Sequence, residues 1–239
     1  MDPENIMKEG ISIIIPAFHE AENLRMLLPA IHTALSGLKL PYEILAVDTM
    51  EPTDNTAEIC ARENALCIQR ENGNTYGDAI STGIRRAQYD KTAIMDADGS
   101  HDPADIIRMY NTMRQESLDL VIGSRYIQGG NSHNGPVLKL MSLTVNLVFR
   151  VVFQIQAKDV SNSFRLYDSG KLKQLTLDCR NFDVVEEILI KLRRRNKDFR
   201  MKEIPIFFAR RKAGKSKRNL VAFACSYLKT IWHLYRVCR

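Results

Sequence analysis

In the stretch "TAIMDADGSHDPADI", residues 92–106, three carboxylates (Asp96, Asp98 and Asp102) follow directly on an apolar run. Like charges crowded where a buried strand emerges repel one another, so such a cluster is either fully solvated or gathered round a cation. Asp96 and Asp98 form a D-x-D, and hard carboxylate oxygens suit Mg2+ or Mn2+, ions that keep positions open for water or a substrate diphosphate. Helix capping competes for the same residues, since Ser100 or Asp102 can serve as an N-cap, with Pro103 at the first helical position in the second case. Placement at a strand end favours the metal. His101 is expected to be solvated or capping rather than on a phosphate or the ion. His19, His32, His133 and His233 show no pairing pattern and read as structural.

Charge is the second signal. The chain carries a net +6, yet Lys191 to Arg218 alone holds thirteen Lys or Arg against two acids, so the remainder is net negative. A basic block beside an acidic cluster suits a partner with a phosphate-rich face: a nucleotide, a nucleic acid or a lipid headgroup. Taken alone, Arg193-Arg194-Arg195 reads as a solvated helix face.

The elements that must hold these groups alternate. Apolar strands are expected at "ISIIIPAF", "YEILAVD", "ALCIQ", "KTAIMD" and "LDLVIGSRY", separated by amphipathic helices at "EAENLRMLLPAIHTALSGL", "TDNTAEICAREN" (N-cap Thr53 or Asp54), "GDAISTGIRRAQ" and "DPADIIRMYNTMRQ". Continuously apolar strands between helices predict an α/β fold, a mostly parallel central sheet flanked by helices. In open parallel sheets ligands bind beyond the carboxyl ends of the strands, where Asp48 and Asp96 both fall. After Tyr126 a helical, basic half follows. It holds a long apolar helix at "VLKLMSLTVNLVFRVVFQIQ" whose polar residues Lys139, Ser142, Asn146, Arg150 and Gln154 make one narrow stripe, a helix at "NFDVVEEILIKLRRRNK", a strand at "KEIPIFF" and an amphipathic tail.

At 239 residues and 45% hydrophobic content a sizeable core is within reach. The polar opening "MDPENIMKEG" carries no expected secretory signal, and no apolar run is long enough to span a membrane. Five cysteines without metal-ligand spacing suit a reduced, cytoplasmic setting.

In order along the chain, "ISIIIPAFHEAENL", "EILAVD", "GDAISTGIRRA", "MDADGSHDP", "VIGSRYIQGG", "DVSNSFR" and "EIPIFF…RKAGKSK" resemble the family 2 glycosyltransferases of the GT-A fold. The likeness is strongest to the dolichyl- and polyprenyl-phosphate sugar (mannosyl) transferases, and it runs from about Ile11 to Lys217. It implies a GT-A nucleotide-sugar-binding catalytic domain over 1–218, with 219–239 an amphipathic C-terminal helix. By the same resemblance Pro16, Ala17 and Glu20 contact the nucleotide, Asp48 binds base or ribose, and Gly77 and Ala79 form a close-packed turn beside it. Asp96, Ala97 and Asp98 are the motif for Mg2+ or Mn2+ and diphosphate. Arg125, Arg165, Arg211 and Lys217 hold phosphates of donor and acceptor, with Lys139, Lys215 and Ser216 on the acceptor side. Asp159 and Glu187 are the acidic positions lining that side.

The chain departs from the pattern in places. Thr49 replaces a second aspartate and the loop after it is longer by one residue, with Glu51 in reach of the same hydroxyls; Asn162-Ser163 stands where Ser-Gly is usual; Arg210 occupies a frequent aspartate position. The expected reaction is metal-dependent, inverting transfer of a sugar from a nucleotide diphosphate sugar to a polyprenyl phosphate at the cytoplasmic membrane face. A phosphate monoester is already largely ionised near neutrality, with a second pKa of about 6, and needs cations more than a base. The alternatives are a soluble transferase acting on a glycan or protein hydroxyl, with Asp159 as base, and a non-catalytic nucleotide- or nucleic-acid-binding protein. The aromatics of the basic block, Phe199, Phe207 and Phe208, suit core packing better than base stacking, so no nucleic-acid partner is expected. The apolar helix and the tail, with Phe223, Trp232 and Tyr235, are expected to touch a bilayer surface.

Overall fold

Ile11, Ile13, Ile14 and Ile15 give β1 (Lys8–Pro16) no polar face, and all four are fully buried. A strand apolar on both sides needs a helical layer against each, and the chain supplies them in alternation. The computed structural model describes residues 7–133, 135–211 and 230–236. After β1 come α1 (Ala21–Leu35), β2 (Tyr42–Asp48), α2 (Thr56–Arg62), β3 (Leu66–Gln69), α3 (Tyr76–Arg86), β4 (Tyr89–Ile94), α4 (Ala104–Glu116) and β5 (Leu120–Ser124). The second half adds β6 (Asn131–Ser132), α5 (Pro136–Phe153), β7 (Arg165–Asp168), α6 (Ser169–Lys173), α7 (Val184–Arg195), β8 (Met201–Pro205) and β9 (Phe207–Phe208).

The main sheet has the order β3-β2-β1-β4-β7-β5-β8. All neighbours are parallel except β7, which runs antiparallel to both β4 and β5. The α/β expectation holds, and β7 is the strand that the sequence reading missed. Its register pairs Ile94 with Arg165, so the segment leading into β7 lies at the same sheet edge from which β1, β2, β4 and β5 emerge. One core layer packs α1, α2 and α4 on the sheet, and the other packs α3, α5 and α7. Cys60, Cys67 and Cys179 are free thiols.

Local chemistry fixes the helix starts that face this edge. Thr75 and Asp78 form a capping box at α3. At α2, Asp54 caps Thr56 N–H with one oxygen and takes Ala21 N–H of α1 with the other. Asp102 accepts from Ala104 N–H at the start of α4, so the capping role competing with metal binding falls to this third aspartate.

Several basic side chains close the fold on itself. Arg193 donates to the carbonyls of Phe153 and Gln154 at the end of α5, and Arg195 to that of Gln174. Arg194 and Arg195 are exposed, as a solvated face requires, but Arg193 and Arg195 in addition satisfy helix and loop carbonyls. The tail boundary at 219 lies outside the described residues. Residues 230–236 are helical, with Leu234 fully buried against the α7 layer and Thr230 donating to Asp183.

Gly77 donates its N–H to the Arg180 carbonyl, and a Cβ there would lie 2.4 Å from the Cys179 carbonyl oxygen. The close packing expected of Gly77 is found against the 179–180 backbone, and Ala79 sits in the core under the sheet. Gly77→Ala should cost about 1–3 kcal/mol through backbone displacement, read as a melting temperature lower by roughly 2–10 °C.

Candidate active site

β1 delivers Pro16 and Ala17, both buried, and β2 ends beside them on Asp48. The Asp48 carboxylate takes Thr49 N–H on Oδ1, 2.8 Å, while its buried Oδ2 has no partner among the described residues. Burial pushes this carboxyl above its ordinary value, and the Thr49 hydrogen bond offsets only part of the effect. An acceptor oxygen left over in a buried site fits a ligand N–H or hydroxyl. Beside it Arg70, which sequence reasoning overlooked, is buried and donates to the carbonyls of Ala17, Asn74 and Thr75. Burial lowers its basicity, with Asp48 pulling the other way. Asn74 accepts from Met50 N–H and Thr49 Oγ1 donates to the Glu51 carbonyl, so the longer loop after Asp48 folds back on itself.

At the end of β4 lie Asp96 and Asp98, both half-buried, with Ala97 between them in the core. Asp98 Oδ1 accepts from Ser100 N–H, 3.0 Å, across a turn in which Gly99 takes φ 73°, a conformation that favours glycine. Asp96 receives the Tyr76 hydroxyl on Oδ1 and the Ser163 hydroxyl on Oδ2, and its own N–H goes to His101 Nδ1. His101 is thus neither solvated nor a cap. It is buried, stacks on Phe164 at 4.6 Å and meets Phe208 edge-on. Burial holds its imidazole below the usual histidine value, against the pull of Asp96 and Asp98. Because Nδ1 accepts a hydrogen bond, it is not offered to a metal. Among the described residues no group of three His, Cys, Asp or Glu converges as a cage. Two carboxylates with the remaining positions left to water and phosphate oxygens is the donor set that Mg2+ and Mn2+ accept.

Beyond β5, Arg125 forms a buried, bidentate pair with Asp159: Nε to Oδ2 at 2.8 Å and Nη2 to Oδ1 at 2.7 Å. Arg125 N–H also reaches Oδ2, Ser142 and Ser161 hydroxyls flank the guanidinium, and the Tyr126 and Phe208 rings lie against it. Two expectations change here. Asp159 is fully buried with both oxygens occupied, so it is not placed as a base, and Arg125 organises this segment rather than reaching openly for a diphosphate. Arg165 also departs from its expected role. It is fully buried and donates to the carbonyls of Asn162, Val185 and Val160, which leaves it no access to an acceptor phosphate. Glu187 is buried as well, accepting from Asp178 and Cys179 N–H and pairing with Lys191, and so braces the 178–179 turn instead of lining an acceptor site. Glu20 and Arg211, assigned to the nucleotide from different ends of the chain, form an ion pair with each other. Lys139 is exposed near the start of α5. Lys215, Ser216 and Lys217 lie outside the described residues.

Helix α5 inverts the usual arrangement of a surface helix. The middle of its polar stripe faces inward, Lys139 at the start staying exposed: Ser142 meets Ser161 and Arg125, and buried Asn146 accepts from Ser161 N–H at 3.0 Å. Its apolar residues Leu140, Leu143, Leu147 and Val151 face outward, Leu140 being 66% and Val151 69% exposed.

Acceptor and carboxylate groups thus gather at the parallel edge of a sheet into which one antiparallel strand is inserted. The family model for Glycosyl transferase family 2 matches residues 12–176, and the chain belongs to that family. Among curated relatives, it is 32% identical over 234 residues to a dolichol-phosphate mannosyltransferase of Pyrococcus furiosus, covering 95% of this chain and 63% of that protein. It is 30% identical over 217 residues to an undecaprenyl-phosphate mannosyltransferase of Micrococcus luteus, covering 86% of each. The chain therefore spans less than two thirds of the first relative's length. Among solved structures, glucosyl-3-phosphoglycerate synthase from Mycobacterium tuberculosis, in complex with Mn2+, UDP and glucosyl-3-phosphoglycerate, superposes with a TM-score of 0.74 at 17% identity, over 96% of this chain and 80% of that one. That likeness establishes the GT-A fold.

The Arg125–Asp159 pair gives a direct stability test. Arg125→Met leaves a buried carboxylate unpaired and should cost about 3–5 kcal/mol in urea unfolding. The double variant Arg125→Met/Asp159→Leu should cost less than Arg125→Met alone, because no uncompensated charge remains buried.

Proposed function

We propose that this protein transfers a sugar from a nucleoside diphosphate sugar to a polyprenyl phosphate while resting on a membrane surface. The names of the two curated relatives point to mannose as the sugar. In this reading Asp48 and the turn at Ala17 receive base and ribose, and Asp96 with Asp98 holds Mg2+ or Mn2+ against the donor diphosphate. The cation would supply charge neutralisation for the departing nucleoside diphosphate. An acceptor phosphate oxygen attacks the anomeric carbon from the face opposite the leaving group. A new C–O bond forms as the bond to the diphosphate breaks, and the configuration inverts.

The observation that carries the phosphate acceptor over a hydroxyl is the state of Asp159. A hydroxyl nucleophile needs a base to take its proton, and the expected base is buried with both oxygens on Arg125. A phosphate monoester brings its own charge and needs none. Lys139 remains as a cation for it, with Lys215 and Lys217 proposed alongside from the resemblance.

The outward apolar face of α5 supports contact with lipid. Leu140, Leu147 and Val151 present a side with no protein cover among the described residues, and a helix whose apolar face points outward fits a bilayer interface. Trp232 is also exposed, with the Arg236 guanidinium 4.2 Å from its ring centre, an amphipathic pair suited to the headgroup level. No helix among the described residues is long and apolar enough to cross a membrane, so the proposed attachment is peripheral.

Incubation with nucleoside diphosphate sugars, Mn2+ and either a short-chain polyprenyl phosphate or hydroxyl acceptors should give an inverted glycosyl phosphate from the lipid phosphate alone. Transfer only to hydroxyls, or retention of configuration, would overturn the reading. Asp96→Asn should lower kcat by about 10²–10³-fold, the loss typical of removing one electrostatic stabiliser. In vesicle flotation with anionic lipid, the triple variant Leu140→Glu/Leu147→Glu/Val151→Glu should stay at the bottom of a gradient in which the unmodified protein floats.

A further inference from the structure

Asp96 is held at three atoms by three residues from separate stretches of chain. On the carboxylate, the Tyr76 hydroxyl donates to Oδ1 at 3.3 Å and the Ser163 hydroxyl to Oδ2 at 3.1 Å, one donor for each oxygen. On the main chain, Asp96 N–H donates to His101 Nδ1 at 3.2 Å. That bond requires Nδ1 to be bare, so the ring proton is on Nε2, which donates to Asn162 Oδ1 at 3.3 Å. The Asn162 amide is thereby oriented too, its Nδ2 donating to the Gly123 carbonyl at 2.6 Å. Each donor–acceptor choice forces the next, from the end of β5 to the end of β4.

The partners are themselves immobilised. Tyr76 opens α3 and stacks on Phe182 with ring centres 4.4 Å apart. Ser163 is buried and lies next to Phe164, which packs flat on His101. A carboxylate that may turn about its last bond presents a cation with a range of directions. Hydroxyls on both oxygens fix its plane and still leave each oxygen a lone pair. Partners of this kind commonly govern metal affinity almost as strongly as the ligands do.

We propose that Ser163 and Tyr76 are positioning residues for the cation and diphosphate: together they fix the Asp96 carboxylate in the plane from which it meets the ion, with Asn162 and His101 anchoring its main chain. The inference rests on the reading of Asp96 and Asp98 as the cation site.

Tyr76→Phe keeps the ring on Phe182 and removes only the hydroxyl; Ser163→Ala removes the other; Ser163→Thr restores it. Mn2+ affinity, measured by electron paramagnetic resonance on the full chain with and without a nucleoside diphosphate, should fall about 10-fold in each single variant and further in the double, in line with the 10–100-fold typical of such partners. Ser163→Thr should recover most of the loss. The KM for the nucleotide sugar at fixed Mn2+ should rise in parallel, kcat at saturating Mn2+ should change far less, and melting temperatures should stay close to that of the unmodified protein. Unchanged Mn2+ affinity in both Tyr76→Phe and Ser163→Ala, or losses that merely track melting temperature, would overturn the proposal while leaving the proposed function standing. If the unmodified protein binds no Mn2+ even with nucleotide, the cation site fails and the positioning role fails with it.

Discussion

Carboxylates brought together at the carboxyl edge of a parallel sheet repel one another, and this fold keeps them there by giving each its own donor. Thr49 N–H serves Asp48, Ser100 N–H serves Asp98, the Tyr76 and Ser163 hydroxyls serve Asp96, and Arg125 serves Asp159. The donors differ in strength, and so do the results. Asp159 receives a full guanidinium and is closed off. Asp96 and Asp98 receive neutral donors, which orient a carboxylate without cancelling its charge. Asp48 is given one backbone N–H and keeps a buried oxygen unmatched among the described residues. The same residue type is thus closed off, oriented with its charge intact, or left with an acceptor oxygen to spare, according to what is placed opposite it.

The arginines follow the converse logic. Arg70, Arg125, Arg165, Arg193 and Arg195 all donate to main-chain carbonyls or to Asp159. Five fixed donors on a planar group let one arginine tie several loops at once, and Arg165 joins the segments at Val160, Asn162 and Val185 in this way. A basic sequence is therefore a poor guide to how much positive charge is available to a substrate. Much of it holds together the irregular second half, which has few strands to do so.

What the sequence made legible was local. Apolar runs ending on Asp48 and Asp96, glycine after the D-x-D and apolar residues at helical spacing each carry their meaning within a few positions. The four-residue β7 carries no such signal, because "RLYD" is too short to show a period and its antiparallel direction is settled by where β4 and β5 leave a gap. Arg125 and Asp159 are thirty-four residues apart, and His101 and Asn162 sixty-one. Nothing in their immediate neighbours announces those pairings. The polar stripe of α5 was visible as a stripe, but its inward direction depends on Ser161 and Arg125 being there to receive it.

The antiparallel approach of β7 fixes the chain length on either side of it. Side chains alternate between the two faces of a strand. Phe164 and Leu166 enter the layer of α1 and α4, while Arg165 and Tyr167 face the opposite layer and Ser163 meets Asp96. Ser163, Phe164 and Arg165 thus enter three different surroundings in succession, so a residue added or deleted among them would set an aromatic ring against Asp96 or a guanidinium into an apolar layer. A change of length here would disturb more buried contacts than one in an exposed surface loop.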